Sequence, residues 1–121
     1  MKNLDQPYGA YYSNRSVATD DELTRVGKGT PAGEYLRRFW QPVAPTRELG
    51  DVPLVTRILG EDLVVFRDGR QRLGVLEKRC CHRGTSLEFG KIAERGIRCC
   101  YRGWHFDVDG TILATPAEPS T

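Results

Sequence analysis

Short apolar runs separated by turn-forming residues dominate the chain after residue 50. Val, Ile and Leu are concentrated in three such runs, which occupy residues 52–59, 63–67 and 73–77. Gly and Asp interrupt the runs at 60–62 and 68–70. Branched aliphatic residues between breaks of this kind are typical of β-strands, and the Asp-Gly pair at 68–69 is a hairpin signal. The pattern predicts a meander of short antiparallel strands.

A similar pattern recurs near the end of the chain. Residues 105–108 and 111–113 are strand-like and flank Asp109-Gly110, which is a second hairpin signal. Many short strands with tight glycine turns favour an all-β fold, a small antiparallel β-sandwich or barrel with a short N-terminal helix.

The helical signals precede the strands. Thr19 with Glu22 forms a potential capping box for one helical turn, and Thr30 followed by Pro31 is a second helix start. Residues 1–18 are polar and turn-rich, so they are expected to form a loose arm before a single domain at 19–118.

An apolar stripe follows the second helix start. Leu36, Phe39 and Trp40 recur at helical spacing, and we expect them to pack into the core. On this interpretation Arg37 and Arg38 face solvent.

Bulk composition excludes some classes of protein. The 121 residues are 39% hydrophobic and 28% charged, which suits one globular domain. No apolar run reaches membrane length and no signal-peptide core follows Met1, so we expect a cytoplasmic protein with no membrane partner. A net charge of +2 and the lack of a recognised motif give no case for nucleic acid.

Basic residues are nevertheless unevenly distributed. Between residues 79 and 105 two acidic residues, Glu88 and Glu94, stand against six basic ones: Arg79, Arg83, Lys91, Arg95, Arg98 and Arg102. This excess favours docking of an acidic protein. Alternatively, the arginines are solvated loop residues that pair with the two glutamates.

The candidate chemistry lies in the same stretch, which holds all four cysteines and both histidines. Two knots, Cys80-x-His82 and Cys99-x-x-Arg102, are separated by the sixteen residues 83–98, and a glycine closes each. Paired loops of thiols and imidazole are typical of a metal clip, and this donor set suits zinc or an iron-sulfur cluster.

The motifs CCHRGTSLEFG and GIRCCYRGWHFDVDGTIL resemble the Rieske [2Fe-2S] domain, in which Cys-x-His is followed by Cys-x-x-His. The closer resemblance is to the N-terminal domain of the large subunit of Rieske non-haem-iron ring-hydroxylating oxygenases. It extends to DELTRVGKGTPAGEYLRRFWQPVAP and RILGEDLVVFRDG, which look like that family's first segment and early strands.

The resemblance implies a [2Fe-2S] cluster held by loops 80–84 and 99–104. Cys80 and Cys99 would bind one iron and His82 the other, while Arg102 occupies the position of the family's second histidine. A guanidinium has no lone pair to offer a metal at ordinary pH, so Arg102 is a poor ligand. Four residues are expected to surround the cluster. Gly84 and Gly103 are its flexible glycines, Trp104 is a structural wedge, and Tyr101 is a hydrogen-bond donor to sulfur.

Several answers to the missing ligand stay open. A thiolate could be recruited from Cys81 or Cys100, His105 could supply an imidazole, or the position could stay unfilled with impaired loading. A tetrahedral zinc site built from Cys80, His82, Cys99 and either Cys100 or His105 is a further alternative.

By this resemblance the chain is a carrier of single electrons from a ferredoxin or reductase to the non-haem iron of an oxygenase catalytic domain or neighbouring subunit. The chain carries no such catalytic domain, so no residue is expected to be catalytic, and whether to class it as an enzyme stays open. It would be a fragment, the product of a truncated gene or a stand-alone carrier. The alternative is a cluster-free or zinc-stabilised interaction module.

Overall fold

The computed structural model describes residues 20–119. Two short helices come first, α1 at Asp21–Thr24 and α2 at Pro31–Leu36. The side chain of Asp20 caps α1 by accepting a hydrogen bond from the Glu22 amide at 3.1 Å. The N-cap is therefore Asp20, while Thr19 and the expected arm at 1–18 lie outside the described residues.

The second helix begins as its sequence predicts. Thr30 is the N-cap, and its hydroxyl oxygen accepts a hydrogen bond from the Gly33 amide at 3.2 Å. Pro31 occupies the first helical position, where its missing N–H costs nothing. A short N-terminal helix is confirmed.

The prediction that Leu36, Phe39 and Trp40 pack as one core stripe is wrong. The helix ends at Leu36, so the following residues do not continue its helical spacing. Phe39 is 54% exposed and Trp40 is fully exposed. Helical spacing aligns side chains only while the backbone stays helical, and the chain leaves that geometry before the stripe is complete.

Arg37 was expected to face solvent, and this too is wrong. Its guanidinium donates hydrogen bonds to the carbonyl of Val26 at 3.2 Å and to the carbonyl of Leu59 at 2.9 Å. Glu61 lies 3.5 Å away as an ion-pair partner. The arginine therefore ties the helical segment to the first hairpin of the sheet.

The first sheet is antiparallel in the order β1-β2-β3, with β1 at Leu54–Ile58, β2 at Glu61–Arg67 and β3 at Leu73–Glu77. All three predicted strands are present. Leu59 and Gly60 form the two-residue connection between β1 and β2, with φ of 50° and 78°. Two successive left-handed residues match the twist of a tight hairpin.

The Asp-Gly hairpin at 68–69 is confirmed, but its geometry differs from the simple expectation. The left-handed residue is Gln71, with φ of 64°, rather than Gly69. Glycine is required at position 69 for space, because a Cβ there would lie 2.7 Å from the Cα of Glu94. The turn thus packs directly against residues 93–94, which lie in a connection of the second sheet described below.

The second sheet has the order β4-β5-β6-β7 and is also antiparallel. Its strands are shorter, at Lys91–Ile92, Ile97–Arg98, His105–Phe106 and Ile112–Ala114. The sequence pattern indicated the last two, but strand β4 was not predicted. In its two residues the alternation is too brief to register.

The two sheets share one core. Its buried members come from β2, β5, β6, a 3-10 turn at Leu87–Phe89 and the two metal-clip loops, which are residues 80–84 and 99–104. They are Val64, Phe66, Cys80, Leu87, Ile97, Cys99 and Phe106. The predicted all-β fold of small antiparallel sheets is confirmed, and two clip cysteines belong to its interior. No helix within residues 20–119 has the length and apolar character needed to cross a membrane.

A charge network built on two buried carboxylates joins the two sheets. The guanidinium of Arg72 donates to Asp68 at 2.8 Å and to Asp107 at 2.8 Å, and Arg95 bonds Asp107 at 2.8 Å. Burial opposes ionisation of Asp68, but hydrogen bonds from the Arg72 and Gly96 amides and from the Arg72 guanidinium hold its pKa below the ordinary value.

Candidate metal centre

The two loops that carry the predicted ligands close in the same way. The amide of Cys80 donates to the carbonyl of Thr85 at 2.8 Å, and the amide of Cys99 donates to the carbonyl of Trp104, also at 2.8 Å. In each case the partner lies five residues beyond the cysteine. The two loops are thus closed by matching backbone bonds, one after β3 and one after β5.

A left-handed glycine occupies the same place in both loops. Gly84 has φ of 72° and Gly103 has φ of 71°, each four residues after its cysteine. A Cβ at either position would meet no described atom within 4 Å. The backbone conformation, rather than a lack of space, therefore favours glycine at both sites.

The two cysteines at the loop starts are brought together inside the core. Cys80 is 4% exposed and Cys99 is 3% exposed, and both belong to the same cluster of buried core residues. Burial is the main cause that raises the pKa of Cys99, and the Cys80 thiol acts in the same direction. The nearby Tyr101 amide acts in the opposite direction and lowers this pKa. A metal that binds here displaces thiol protons.

The other two cysteines lie outside the core. Cys81 and Cys100 are exposed, and all four cysteines are free of disulfide bonds. The Tyr101 side chain, from which a hydrogen bond to sulfur was expected, is 41% exposed, and that hydrogen bond stays a prediction.

His82 is held in a defined orientation. Its ring stacks on the indole of Trp104, with centroids 4.4 Å apart and planes 5° from parallel. Its Nε2 lies 2.9 Å from Oε1 of Glu118. Its Nδ1 is buried with no hydrogen-bond partner among the described residues. A buried imidazole nitrogen without a partner is available to bind a metal.

The sequence did not single out Glu118. The contact joins residues 36 positions apart, from 82 to 118, and no spacing rule links them. A carboxylate near the C-terminal end was the only local sign. Trp104, by contrast, packs beside a clip residue as the sequence predicted.

The guanidinium of Arg102 does not lie in the core. The residue is exposed, with φ of 62°, and its guanidinium carbon lies 5.4 Å from the centroid of the Tyr101 ring. His105 is also occupied elsewhere, because its Nε2 contacts the carbonyl of Arg95.

The donor set fits three positions of a [2Fe-2S] cluster. Cys80 and Cys99 offer adjacent buried thiols and His82 offers an unpartnered nitrogen, which matches two thiolates on one iron and an imidazole on the other. Within residues 20–119 no three His, Cys, Asp or Glu side chains gather at the spacing of one bound ion. Arg102 has no lone pair for the fourth position.

Comparison with known proteins agrees with this geometry. Residues 39–121 match the Rieske [2Fe-2S] domain. The chain is 64% identical over 101 residues to the tert-butanol monooxygenase / tert-amyl alcohol desaturase oxygenase subunit of Aquincola tertiaricarbonis, covering 84% of this chain and 22% of that protein. It is 56% identical over 114 residues to the phenoxybenzoate dioxygenase subunit alpha of Ectopseudomonas oleovorans, covering 94% and 28%. It therefore spans about a quarter of these relatives.

Solved structures show the same fold. NdmA of Pseudomonas putida CBB5 superposes with a TM-score of 0.65 at 31% identity, over 84% of this chain and 30% of that one. Dicamba monooxygenase, solved with non-heme iron and dicamba, gives 0.62 at 29% identity, over 66% and 24%. Because the family match spans most of the chain and its relatives are oxygenase subunits of high identity, the chain belongs to the Rieske [2Fe-2S] domain family.

Proposed function

We propose that this chain is the electron-transfer domain of a Rieske-type oxygenase large subunit. It would take single electrons from a ferredoxin or reductase and pass them towards a non-haem iron. One observation carries the proposal: the two buried core thiols of Cys80 and Cys99 stand with a buried imidazole nitrogen that has no partner among the described residues. When bound, a [2Fe-2S] cluster would supply one-electron redox chemistry.

The residues of the chain have distinct tasks in this proposal. Cys80 and Cys99 would hold the cluster, and their burial would keep water from its ligand sulfurs, while the Tyr101 amide lowers the pKa of the Cys99 thiol. His82 presents Nδ1 while Trp104 fixes the plane of its ring. Loops closed by backbone hydrogen bonds hold these donors rigidly, which suits electron transfer.

The acceptor iron is assigned to an oxygenase catalytic domain or a neighbouring subunit. A mononuclear oxygenase site needs two histidines and a carboxylate. The two histidines here have other contacts, His82 with Trp104 and Glu118, and His105 with the Arg95 carbonyl. Substrate oxidation is therefore proposed to occur outside the residues of this chain.

The charge around the loops supports docking of an acidic donor protein. Arg83 and Arg102 are exposed at the same position of the two loops, three residues after their cysteines. Lys91 and Arg98 face each other across β4 and β5, and both are exposed. Glu88 and Glu94, the expected partners of the loop arginines, pair instead with other residues, namely Lys78 and Arg70.

Two members of the predicted basic set are already engaged. Arg95 bonds Asp107, and Arg79 donates to the carbonyl of Gly84 at 3.0 Å. The proposed docking surface therefore consists of Arg83, Lys91, Arg98 and Arg102. Changing Arg83→Glu should slow reduction by a ferredoxin at low salt, whereas Arg47→Glu, a change at another exposed arginine in the 3-10 turn at Thr46–Glu48, should not. Equal rates in the two variants would contradict this surface.

Arg102 is proposed to weaken cluster retention because it leaves one iron short of a ligand. Iron, zinc and acid-labile sulfide content of anaerobically purified protein, with an electron paramagnetic resonance spectrum of the reduced form, tests the whole proposal. Iron and sulfide in equal amounts with a nitrogen-ligand spectrum would support it. An all-thiolate spectrum would point to Cys81 or Cys100, and one zinc without iron would favour the zinc-stabilised module.

A further inference from the structure

We propose that Glu118 is a positioning residue for the metal centre, and that its carboxylate selects the ring orientation in which His82 offers Nδ1 to iron. This inference rests on the proposed function of the loops. The observation behind it is the pairing of the two ring nitrogens with opposite environments. Nε2 lies 2.9 Å from Glu118, whereas Nδ1 is buried and has no hydrogen-bond partner within residues 20–119.

Stacking alone does not decide this orientation. The parallel contact with Trp104 fixes the plane of the His82 ring. A rotation of 180° about the Cβ–Cγ bond leaves that plane unchanged but exchanges Nδ1 with Cδ2 and Nε2 with Cε1. The flipped ring would point carbon atoms at both the metal side and the carboxylate. A second contact is therefore needed, and Glu118 supplies it.

The same contact determines the tautomer. A carboxylate oxygen only accepts hydrogen bonds, so a neutral His82 must carry its proton on Nε2 to bond Glu118. The lone pair then lies on Nδ1, which is the form that binds a metal. The His82 side chain is 12% exposed and that of Glu118 is 35% exposed, so the pair is partly shielded from water.

Glu118 also has a plain structural role to be separated from this one. It joins the segment after β7 to the first metal-clip loop, and a contact of that kind could simply hold the chain together. Two substitutions distinguish the roles. Glu118→Gln keeps an oxygen that accepts from Nε2–H and loses the charge, while Glu118→Ala loses both.

The first measurement needs no metal. Nitrogen-15 NMR of the metal-free full chain reports which ring nitrogen of His82 is protonated. We expect the Nε2–H tautomer in the parent and in Glu118→Gln, and a mixture in Glu118→Ala. Glu48→Gln, an exposed glutamate in the 3-10 turn at Thr46–Glu48, is the matched control and should resemble the parent. An identical tautomer in the parent and in Glu118→Ala would overturn the proposal.

The second measurement uses the iron-loaded chain. Glu118→Ala should release iron about ten-fold faster than the parent, because supporting hydrogen bonds to ligands carry effects of this size. Glu118→Gln should retain iron but show a higher reduction potential, since the lost negative charge no longer favours the oxidised centre. Unchanged release in Glu118→Ala, or an unchanged potential in Glu118→Gln, would overturn the proposal.

The outcomes keep the two proposals apart. If neither the parent nor Arg102→His binds iron and sulfide, the proposed function fails whatever Glu118 does. If iron binds but the tautomer and potential ignore residue 118, the function stands and the positioning role fails.

Discussion

The two metal-clip loops have matching backbone closure and differ in what they present. Each starts with a buried cysteine, closes with a left-handed glycine and carries an exposed arginine three residues after the cysteine, Arg83 in one and Arg102 in the other. The first loop turns His82 onto Trp104, whereas the second leaves Tyr101 41% exposed. Loop closure and ligand supply are therefore separable properties.

One backbone detail also separates the loops. Arg102 is left-handed with φ of 62°, whereas Arg83 at the matching position is not. A non-glycine residue in this region is uncommon, and the second loop carries it directly before a left-handed glycine. The second loop thus has a special conformation at the position where the resemblance to the family implies a histidine.

The largest effect should come from removing a core thiol of the second loop. Cys99→Ala should reduce bound iron to background, because it removes one of the two thiols that the core holds for the metal. Cys100→Ala, one residue along and exposed, is the matched control and should keep the parent's iron content. Iron and sulfide analysis decides the matter, and iron loss in Cys100→Ala would instead identify a recruited thiolate.

The next largest effect should come from restoring an imidazole to the second loop. Arg102→His should slow iron release about ten-fold, the scale expected for completing a metal site. Arg83→His, at the matching position of the first loop, should have no such effect. Loss of iron to a chelator, followed by absorbance, measures both. Equal rates of iron release from the two variants would mean that the missing fourth ligand at residue 102 does not limit iron retention.

The stability of the fold that holds the two loops should depend on the charge network between the sheets. Asp68→Ala leaves the amides of Arg70, Arg72 and Gly96 without their acceptor, so we expect a loss of about 2–3 kcal/mol in the free energy of unfolding. Urea unfolding at neutral pH measures it. Glu77→Ala, an exposed change in β3, should cost much less, and equal losses would contradict the role of the network.

Acid should act on the same network. The pKa values of Asp68 and Asp107 lie below the ordinary 3.8 in the folded chain. Their contribution to stability is therefore complete only well above the ordinary pKa of 3.8, and it is lost progressively as the pH falls through that value and the lower folded-state values. Unfolding curves between neutral and acidic pH should show this decline, and Asp68→Asn should make it shallower. A parent stability that rises on acidification would contradict the assignment.

The smallest effect should be nearly equal in the two loops. Gly84→Ala and Gly103→Ala each place a side chain at φ near 71° with open space around it, so each should cost about 1–2 kcal/mol through backbone strain alone. Gly50→Ala, also in open space but without a positive φ, should cost almost nothing. Thermal unfolding of the three variants tests this, and clearly unequal costs in the two loops would show that their backbones are not equivalent.

The sequence by itself determined the local features of this protein. Strand periodicity located β1 to β3, the Thr30-Pro31 pair located a helix start, and the spacing of Cys80-x-His82 and Cys99 located both clip loops. It also showed an arginine at position 102, where the resemblance to the family implies a histidine. These features depend on neighbouring residues along the chain, so a local pattern is sufficient to find them.

Only the tertiary structure decided which distant groups meet. It turned Phe39 and Trp40 outward because helix α2 ends before them, and it placed Arg72 between Asp68 and Asp107. It also set Glu118 against His82, which leaves Nδ1 unpartnered in the interior. Such contacts depend on how the two sheets and the C-terminal segment pack together, and no spacing along the chain records that packing.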